Sequence, residues 1–210
     1  MKVTVIGAGN MGAAFVKQLS AAGHQVNVTA RHLEKAQALA EANAGVSTVA
    51  VESAAATADV FVLATAYGDA IAALKSLGDL TGKVVIDITN PLTPDYMGLT
   101  LGHITSAAEE IASAIPGAEV VKAFNTVFAQ ILAEGADFGH GQAVPVFVAS
   151  DSERAKQTAI ALAQSMGFAI MDAGSLKNAR YLEPLAGLNI YFGYGAGLGT
   201  SIAPAWIQRA

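Results

Sequence analysis

Residues 1–31, MKVTVIGAGNMGAAFVKQLSAAGHQVNVTAR, decide the fold of this chain. A short apolar run rich in β-branched residues, at positions 3–6, predicts a buried parallel strand. The segment 7–12, GAGNMG, follows at once and fits the pattern G-x-G-x-x-G. Apolar residues at helical spacing then predict a helix over residues 10–22, and residues 25–30 predict a second strand. A glycine pattern set inside such a β-α-β unit indicates a dinucleotide-binding turn.

Each residue of this turn has an expected task. Gly7 makes the tight turn, Gly9 lets the backbone approach a pyrophosphate, and Gly12 allows close packing of helix and strand. Asn10 and Met11 begin the helix, where free N–H groups and the helix dipole favour phosphate. The alternative, a glycine turn with a purely structural role, stays open.

Composition limits the class of protein. The chain has 210 residues, of which 53% are hydrophobic and 14% charged, and its net charge is -5. We predict one domain, residues 1–210, of the α/β class: a Rossmann-type, doubly wound, mostly parallel sheet of about eight strands. A short C-terminal helix and glycine-rich tail, residues 172–210, follow it. The charge argues against nucleic acid as a partner, and the absence of cysteine excludes disulfides and thiolate metal sites.

No membrane contact is expected. The sequence has no apolar run long enough to span a bilayer. The N-terminus leads straight into the first strand, so we expect no signal peptide and a cytoplasmic protein.

The end of the second strand predicts which nucleotide is bound. An NAD-preferring site would place an acid here for the ribose hydroxyls, but the sequence continues Ala30-Arg31-His32. Arg31 can hold a phosphate with its planar guanidinium, and Lys35 lies four residues further on. This pattern predicts a site for the 2′-phosphate of NADP(H). The alternative is a set of ordinary surface cations.

Apolar runs and helical periodicity predict the remaining elements. Strands are expected at 47–51, 59–64, 84–88, 119–123, 144–149 and 168–171, and helices at 33–43, 69–77, 106–115, 127–134, 153–166 and 178–192. Pro145 places its strand near a sheet edge or makes it start late. The last helix has an apolar face of Tyr181, Leu182, Leu185, Leu188 and Phe192. Pro184 should kink this helix or mark its true start.

Ligands of doubly wound sheets lie outside the carboxyl ends of the strands. Residues that follow those ends are therefore candidates to line the cofactor: Thr65, Ala66, Tyr67, Asn90, Pro91, Asn125 and Thr126. Tyr67 could equally be a packing aromatic. The tail, with Gly197 and Leu198, offers a smooth surface that another backbone or a flat ring can approach closely; a loose terminus is the alternative.

No convincing acid–base set is found, so we name no catalytic residue and no metal ligand. His24 follows the first helix at the wrong end of the sheet, and His32 lies at the adenosine end. His103 and His140 are expected on surface loops. Lys122 is interpreted as a solvated lysine at a strand end rather than a catalytic one.

The motifs GAGNMG, ARHLEK and DAGSLKNARYLEPL together resemble the single-domain NADPH-dependent reductases of the 8-hydroxy-5-deazaflavin coenzyme, over nearly the whole chain. The resemblance implies that Gly9, Asn10 and Met11 contact the pyrophosphate and that Arg31 and Lys35 hold the 2′-phosphate. It further implies positions along NADPH for Ala66, Ala70, Asn90 and Ala123, a deazaflavin contact for Leu198, and a homodimer.

Two segments depart from this family. Ala66-Tyr67 replaces the Pro-Trp of archaeal members, and Lys122-Ala123-Phe124-Asn125-Thr126 also differs. The strings VKAFNT and NPL are more similar to the NADPH-binding domain of membrane ferric reductases, which pass hydride to a flavin. NADP(H) is therefore the expected donor, with a deazaflavin, FMN or FAD as acceptor. Acceptor binding is expected at Leu198, Gly197 and Asn125.

Two alternatives remain open at this point. One is a redox sensor that binds NADPH without turnover and signals through a partner. The other is a reductase of a small carbonyl or imine, which would need a proton donor near Tyr67 or Asn125.

Overall fold

The computed structural model describes residues 1–207 and 209, and the predicted tail at 208 and 210 lies outside them. Its strands are β1 (Lys2–Ile6), β2 (Gln25–Thr29), β3 (Val46–Thr48), β4 (Val60–Leu63), β5 (Val84–Asp87), β6 (Glu119–Lys122), β7 (Pro145–Ser150) and β8 (Ala169–Asp172). They form one sheet in the order β3-β2-β1-β4-β5-β6-β7-β8. Neighbours from β3 to β6 are parallel, whereas β7 runs antiparallel to β6 and parallel to β8. The predicted Rossmann-type, mostly parallel sheet of eight strands is confirmed.

Helices connect these strands. They are α1 (Asn10–Ala21), α2 (Leu33–Glu41), α3 (Tyr67–Ser76), α4 (Ala107–Ala114), α5 (Ala129–Glu134), α6 (Glu153–Ser165) and α7 (Ala179–Ile190). Short 3₁₀ segments cover Val51–Ala56 and Leu176–Asn178, and a π-helical turn covers Tyr191–Gly195.

The sheet is covered on both faces, which is why its central strands are mostly apolar: β4 reads VFVL and β5 reads VVID. Phe15 and Leu19 of α1 pack in one apolar cluster with residues of α5 and α6. Leu74 of α3 and Ile111 of α4 pack in a second cluster that includes Phe61 and Leu63 of β4. Parallel strands buried in this way leave only their ends accessible to a ligand.

The structure corrects two predicted elements and supports a third. The third strand is shorter than residues 47–51, because pairing with β2 ends at Thr48 and the chain turns into a 3₁₀ segment at Val51. Pro184 does not mark the start of the last helix; it lies inside α7, which begins at Ala179. Pro145 opens β7, next to the edge strand, as its position in the sequence indicated.

The predicted last helix, 178–192, ends early at Ile190. From Tyr191 the backbone widens into the π turn, closed by a hydrogen bond from the Ala196 N–H to the Tyr191 carbonyl at 2.8 Å. Gly193 permits this wider path, since a Cβ there would lie 2.8 Å from the ring of Phe128. Among the described residues, no helix is both long enough and apolar enough to cross a bilayer.

Candidate functional site

The parallel strands β1, β2, β4, β5 and β6 end at the same edge of the sheet. From β1 the chain builds outward to β2 and β3, then returns to place β4 on the other side of β1. Such a reversal of strand order opens a crevice at the carboxyl ends, which is where open α/β sheets bind ligands.

The glycine turn lies in the middle of this crevice. Gly7 has φ +114°, and a Cβ added there would lie 2.4 Å from the Ala64 carbonyl oxygen. A Cβ on Gly12 would lie 2.0 Å from the Gly7 carbonyl oxygen, so no larger residue fits without displacing the turn. Gly9 is exposed and has open space around it. The turn therefore packs closely at Gly7 and Gly12 and is open at Gly9.

Helix α1 begins at this turn with no side-chain cap. Gly9 is its N-cap, and the first turn contains no acidic residue. The N–H groups of Asn10, Met11 and Gly12 belong to the first turn, where a helix offers no internal acceptors. The positive end of the dipole of α1, a helix of twelve residues, therefore faces the open space at Gly9.

The cations predicted for the 2′-phosphate are exposed beside the end of β2. Arg31, His32 and Lys35 are all exposed, His32 is the N-cap of α2, and Lys35 lies in its first turn. Arg31 has one carboxylate within ion-pair distance among the described residues: its Nη1 lies 3.7 Å from Asp69 Oδ1.

Five buried side-chain oxygens of the described residues have no hydrogen-bond partner, and one of them, Asp87 Oδ2, is paired with the Lys122 ammonium; the other four have neither kind of partner. These four are Thr29 Oγ1, Thr65 Oγ1, Thr89 Oγ1 and Asn125 Oδ1. All four stand at or just after the carboxyl ends of parallel strands, namely β2, β4, β5 and β6. These oxygens have almost no accessible surface in the structure, so they mark a polar edge without themselves being exposed contact points for a ligand.

Asn90 and Asn125 join two of the loops at this edge. Asn90 Nδ2 donates to the Asn125 carbonyl at 2.8 Å, and Asn125 Nδ2 donates to Asn90 Oδ1 at 3.0 Å. Asn125 Nδ2 also donates to the Leu182 carbonyl of α7 at 2.9 Å. The pair fixes both loops to each other and to α7, and Asn125 Oδ1 is buried without a hydrogen-bond partner.

Phe124 makes the turn that presents Asn125. Its φ is +59°, in the left-handed region, although its side chain is 1% exposed. The ring packs edge-on against Phe15 at 5.0 Å and Phe168 at 5.6 Å between centroids. Backbone strain of this kind costs about 1–3 kcal/mol and persists where packing enforces it, often at functional sites.

Lys122 is not the solvated lysine expected from the sequence. Its side chain is 0% exposed, and its Nζ lies 2.7 Å from Asp87 Oδ2 and 2.8 Å from Glu183 Oε1. Nζ also donates to the Thr89 carbonyl at 2.7 Å. We call Lys122, Asp87 and Glu183 the buried triad. It ties α7 to the ends of β5 and β6, directly beneath the asparagine pair.

Glu183 also binds the beginning of α4. Its carboxylate accepts the N–H of Ala107 at 2.9 Å and of Ala108 at 3.2 Å, at the beginning of α4. The positive end of that helix offsets part of the second carboxylate charge of the buried triad. With both carboxylates and a carbonyl as acceptors, the Lys122 ammonium has no proton left for chemistry.

Tyr67 begins α3, and its hydroxyl donates to Glu110 Oε2 at 2.5 Å. Partial burial, followed by the bond to Glu110, raises the pKa of the Tyr67 phenol well above its usual value. Tyr67 is therefore neutral near pH 7 and holds its proton firmly, which makes it a poor general acid.

The predicted acceptor residues lie on the tail. Gly197 and Leu198 are exposed, and the Leu198 N–H donates to the Phe192 carbonyl at 3.0 Å. Leu198 also lines an open apolar groove of about 270 Å³ with Leu188 and Phe192. The tail thus folds back on the π turn instead of extending freely.

The π turn packs against the segment that follows β6 and lies near the loop that follows β5. The Tyr194 ring packs edge-on against Phe128 at 5.8 Å, four residues beyond Phe124. A Cβ on Gly195 would lie 3.6 Å from Met97 Sδ, in the loop that follows Asn90 and Pro91.

The other predicted residues differ in accessibility. Ala66 is exposed and Pro91 is buried. Ala70, Ala123 and Thr126 are also buried, at 0–3% exposure, and present almost no surface at the edge. His103 and His140 are exposed on loops, and His24 lies at the opposite side, bonded to the N-terminal amine and Ser165. The described residues contain no group of three potential metal ligands.

Sequence reasoning missed Asp69, Glu110 and the two acids of the buried triad. One signal was available for the triad: Asp87 and Lys122 each end an apolar strand, and they are register partners in the parallel pair β5–β6. Opposite charges at the ends of neighbouring buried strands predict an ion pair once the strand order is known.

The fold and the uncapped glycine turn are typical of a dinucleotide-binding domain, and proteins that this chain resembles are described as NADP-dependent oxidoreductases. Residues 2–91 match the family model described as NADP oxidoreductase, coenzyme F420-dependent. A solved protein from Arthrobacter sp. FB24, named as a candidate F420-dependent NADP reductase, has a TM-score of 0.82 and 29% identity, covering 95% of this chain and 96% of that one. A hypothetical protein from Sinorhizobium meliloti has a TM-score of 0.76 and 31% identity, over 84% and 86%.

A relative with a curated name is similar over most of the chain. The rat metalloreductase STEAP3 is 33% identical over 185 residues, which cover 88% of this chain. The chain spans 36% of the length of that protein. The family-model match is confined to residues 2–91, and both predicted resemblances, to the deazaflavin reductases and to the membrane reductases, are confirmed.

Proposed function

We propose that this protein transfers hydride between NADP(H) and a flat acceptor of the deazaflavin or flavin type. The match of residues 2–91 to an NADP oxidoreductase family model supports the donor. Two features of the structure fit NADP(H): the open space at Gly9 and the exposed Arg31 beside the end of β2. The observation that carries the proposal is the uncapped start of α1, because its first-turn N–H groups face open space where a pyrophosphate can bind.

Different residues would bind different parts of the cofactor. The first-turn N–H groups of α1 would bind the pyrophosphate, and Arg31 with Lys35 would bind the 2′-phosphate. Asn90 and Asn125 lie at the other end of the edge, where the nicotinamide would be placed. When bound, NADPH supplies the hydride; the protein supplies orientation and excludes water.

An apolar surface borders the edge where the acceptor would lie. Tyr96 and Met97 are 62% and 48% exposed on the loop after Pro91, and Tyr191 and Tyr194 are 51% and 64% exposed on the π turn. Leu198, 62% exposed, continues this surface onto the tail. Exposed aromatic side chains beside a polar edge favour a ligand with a flat, apolar ring.

The lack of an available proton donor among Tyr67, Lys122 and Asn125 argues against a carbonyl or imine substrate. Reduction of such a group needs a positioned proton donor. The Tyr67 hydroxyl donates to Glu110, the Lys122 ammonium is bound by Asp87, Glu183 and the Thr89 carbonyl, and Asn125 is not an acid. A flavin-type ring does not need a positioned proton donor, because the hydride enters the ring and the balancing proton can come from water.

Stopped-flow mixing tests the acceptor. Protein and NADPH are mixed with the deazaflavin coenzyme, FMN, FAD or riboflavin, and with a panel of small carbonyls and imines, while the nicotinamide absorbance is followed. We expect NADPH oxidation with at least one flat acceptor and none with the carbonyl panel. Tight NADPH binding without oxidation by any compound would refute the proposal and favour a redox sensor.

We also propose that the protein is a homodimer, as the family resemblance implies. On α7, Tyr181 is 75% and Leu188 50% exposed, and Trp206 of the tail is 59% exposed. These side chains line an open groove of about 550 Å³. Large contiguous apolar surfaces of this kind are typical of protein interfaces.

Light scattering after gel filtration tests the dimer. The wild-type protein should have twice the 21.3 kDa mass of one chain, and Leu188→Glu should shift it to one chain, because a carboxylate would be buried without a partner. Leu33→Glu is the matched control: Leu33 is also exposed, at 41%, but it lies on α2. A monomeric wild type, or equal effects of the two variants, would contradict the proposal.

A further inference from the structure

Two charged side chains meet above the glycine turn. Arg31 follows β2 by two residues, and Asp69 lies in the first turn of α3, which follows β4. Strands β2 and β4 flank β1 on either side. The contact between Arg31 Nη1 and Asp69 Oδ1, at 3.7 Å, therefore crosses the crevice that begins at the end of β1.

We infer that Asp69 sets the selectivity of the site between NADPH and NADH by competing with the 2′-phosphate for Arg31. The inference rests on the proposed nucleotide site. A phosphate monoester carries about -1.5 to -2 charges near neutral pH. When it binds Arg31, it shares the guanidinium with Asp69 or displaces it, and in either case it lies close to a carboxylate of the same sign.

Asp69 is suited to this role because it is exposed and free to move. Its side chain is 57% exposed and that of Arg31 76% exposed, so the ion pair is weak and exchangeable. The carboxylate also lies at the positive end of α3, which stabilises its charge whether or not Arg31 is present. NADH carries no 2′-phosphate, so it meets neither the competition nor the repulsion.

The test is calorimetric titration of Asp69→Asn with NADPH and with NADH. Asparagine keeps the size of the side chain and removes its charge. We expect NADPH to bind about three- to tenfold more tightly and NADH to change less than twofold. Glu41→Gln is the matched control, because it makes the same change in net charge at the far end of α2, and it should leave both affinities unchanged.

A double variant separates this inference from the proposed site. In an Arg31→Ala background, the gain in NADPH affinity from Asp69→Asn should fall below twofold, because only the screened repulsion between exposed charges remains once the competition for Arg31 is removed. An equal gain with or without Arg31, or no gain in the single variant, would overturn the inference while wild-type NADPH binding still supports the site. Failure of the wild-type protein to bind NADPH would instead overturn the site itself.

Discussion

Replacing Lys122 with methionine should cost about 3–5 kcal/mol of unfolding free energy. Methionine retains the apolar stem, but the change leaves the carboxylates of Asp87 and Glu183 buried, at 0% and 1% exposure, without their cation. For a domain of this size, the melting temperature should fall by roughly 6–20 °C. Differential scanning calorimetry and urea unfolding measure both quantities.

Lys83→Met is the control for this prediction. Lys83 Nζ lies 2.9 Å from Asp59 Oδ1, a similar distance, but that aspartate is 78% exposed. A surface pair should contribute at most about 1 kcal/mol. Adding Glu183→Gln to Lys122→Met should restore part of the lost stability, because one uncompensated charge is removed. Equal effects of Lys122→Met and Lys83→Met would show that the buried triad does not stabilise the junction of α7 with the sheet.

Arg31→Ala should weaken NADPH binding about ten- to a hundredfold and leave NADH binding nearly unchanged. Arg31 is the cation closest to the end of β2, and a charge-assisted bond to the 2′-phosphate would be lost with it. NADH has no group at this position for Arg31 to contact. Titrations with both nucleotides give the two dissociation constants.

Arg154→Ala serves as the control for charge. It also removes one guanidinium, but Arg154 lies at the start of α6, where it pairs with Glu119 at 2.6 Å. Its loss should leave the affinity for both nucleotides unaltered. If Arg31→Ala weakened NADPH and NADH by the same factor, Arg31 would contact a part of the nucleotide that both share.

The fold was predictable from local patterns. Residues 7–12 combine a strand end, a tight turn and a helix start, and the apolar runs of β4 and β5 identify the centre of the sheet. The predicted edge residues Asn90 and Asn125 do lie together, because carboxyl ends of parallel strands must share an edge.

What the sequence did not predict depends on segments far apart in the chain. The burial of Lys122 requires Glu183, 61 positions later, to pack against the end of β6, and no local pattern records that contact. The Arg31–Asp69 pair requires β2 and β4 to flank β1, which only the strand order reveals. Helical periodicity likewise marked Tyr181 and Leu188 as apolar without showing that the described chain leaves them exposed.

A crystal structure of the protein with NADPH tests the central claim most directly. The account predicts the pyrophosphate at the first turn of α1, the 2′-phosphate on Arg31, and the nicotinamide beside Asn90 and Asn125 with one ring face open toward Tyr96 and Tyr191. Density for the nucleotide away from the glycine turn, or a nicotinamide ring enclosed by side chains on both faces, would contradict it.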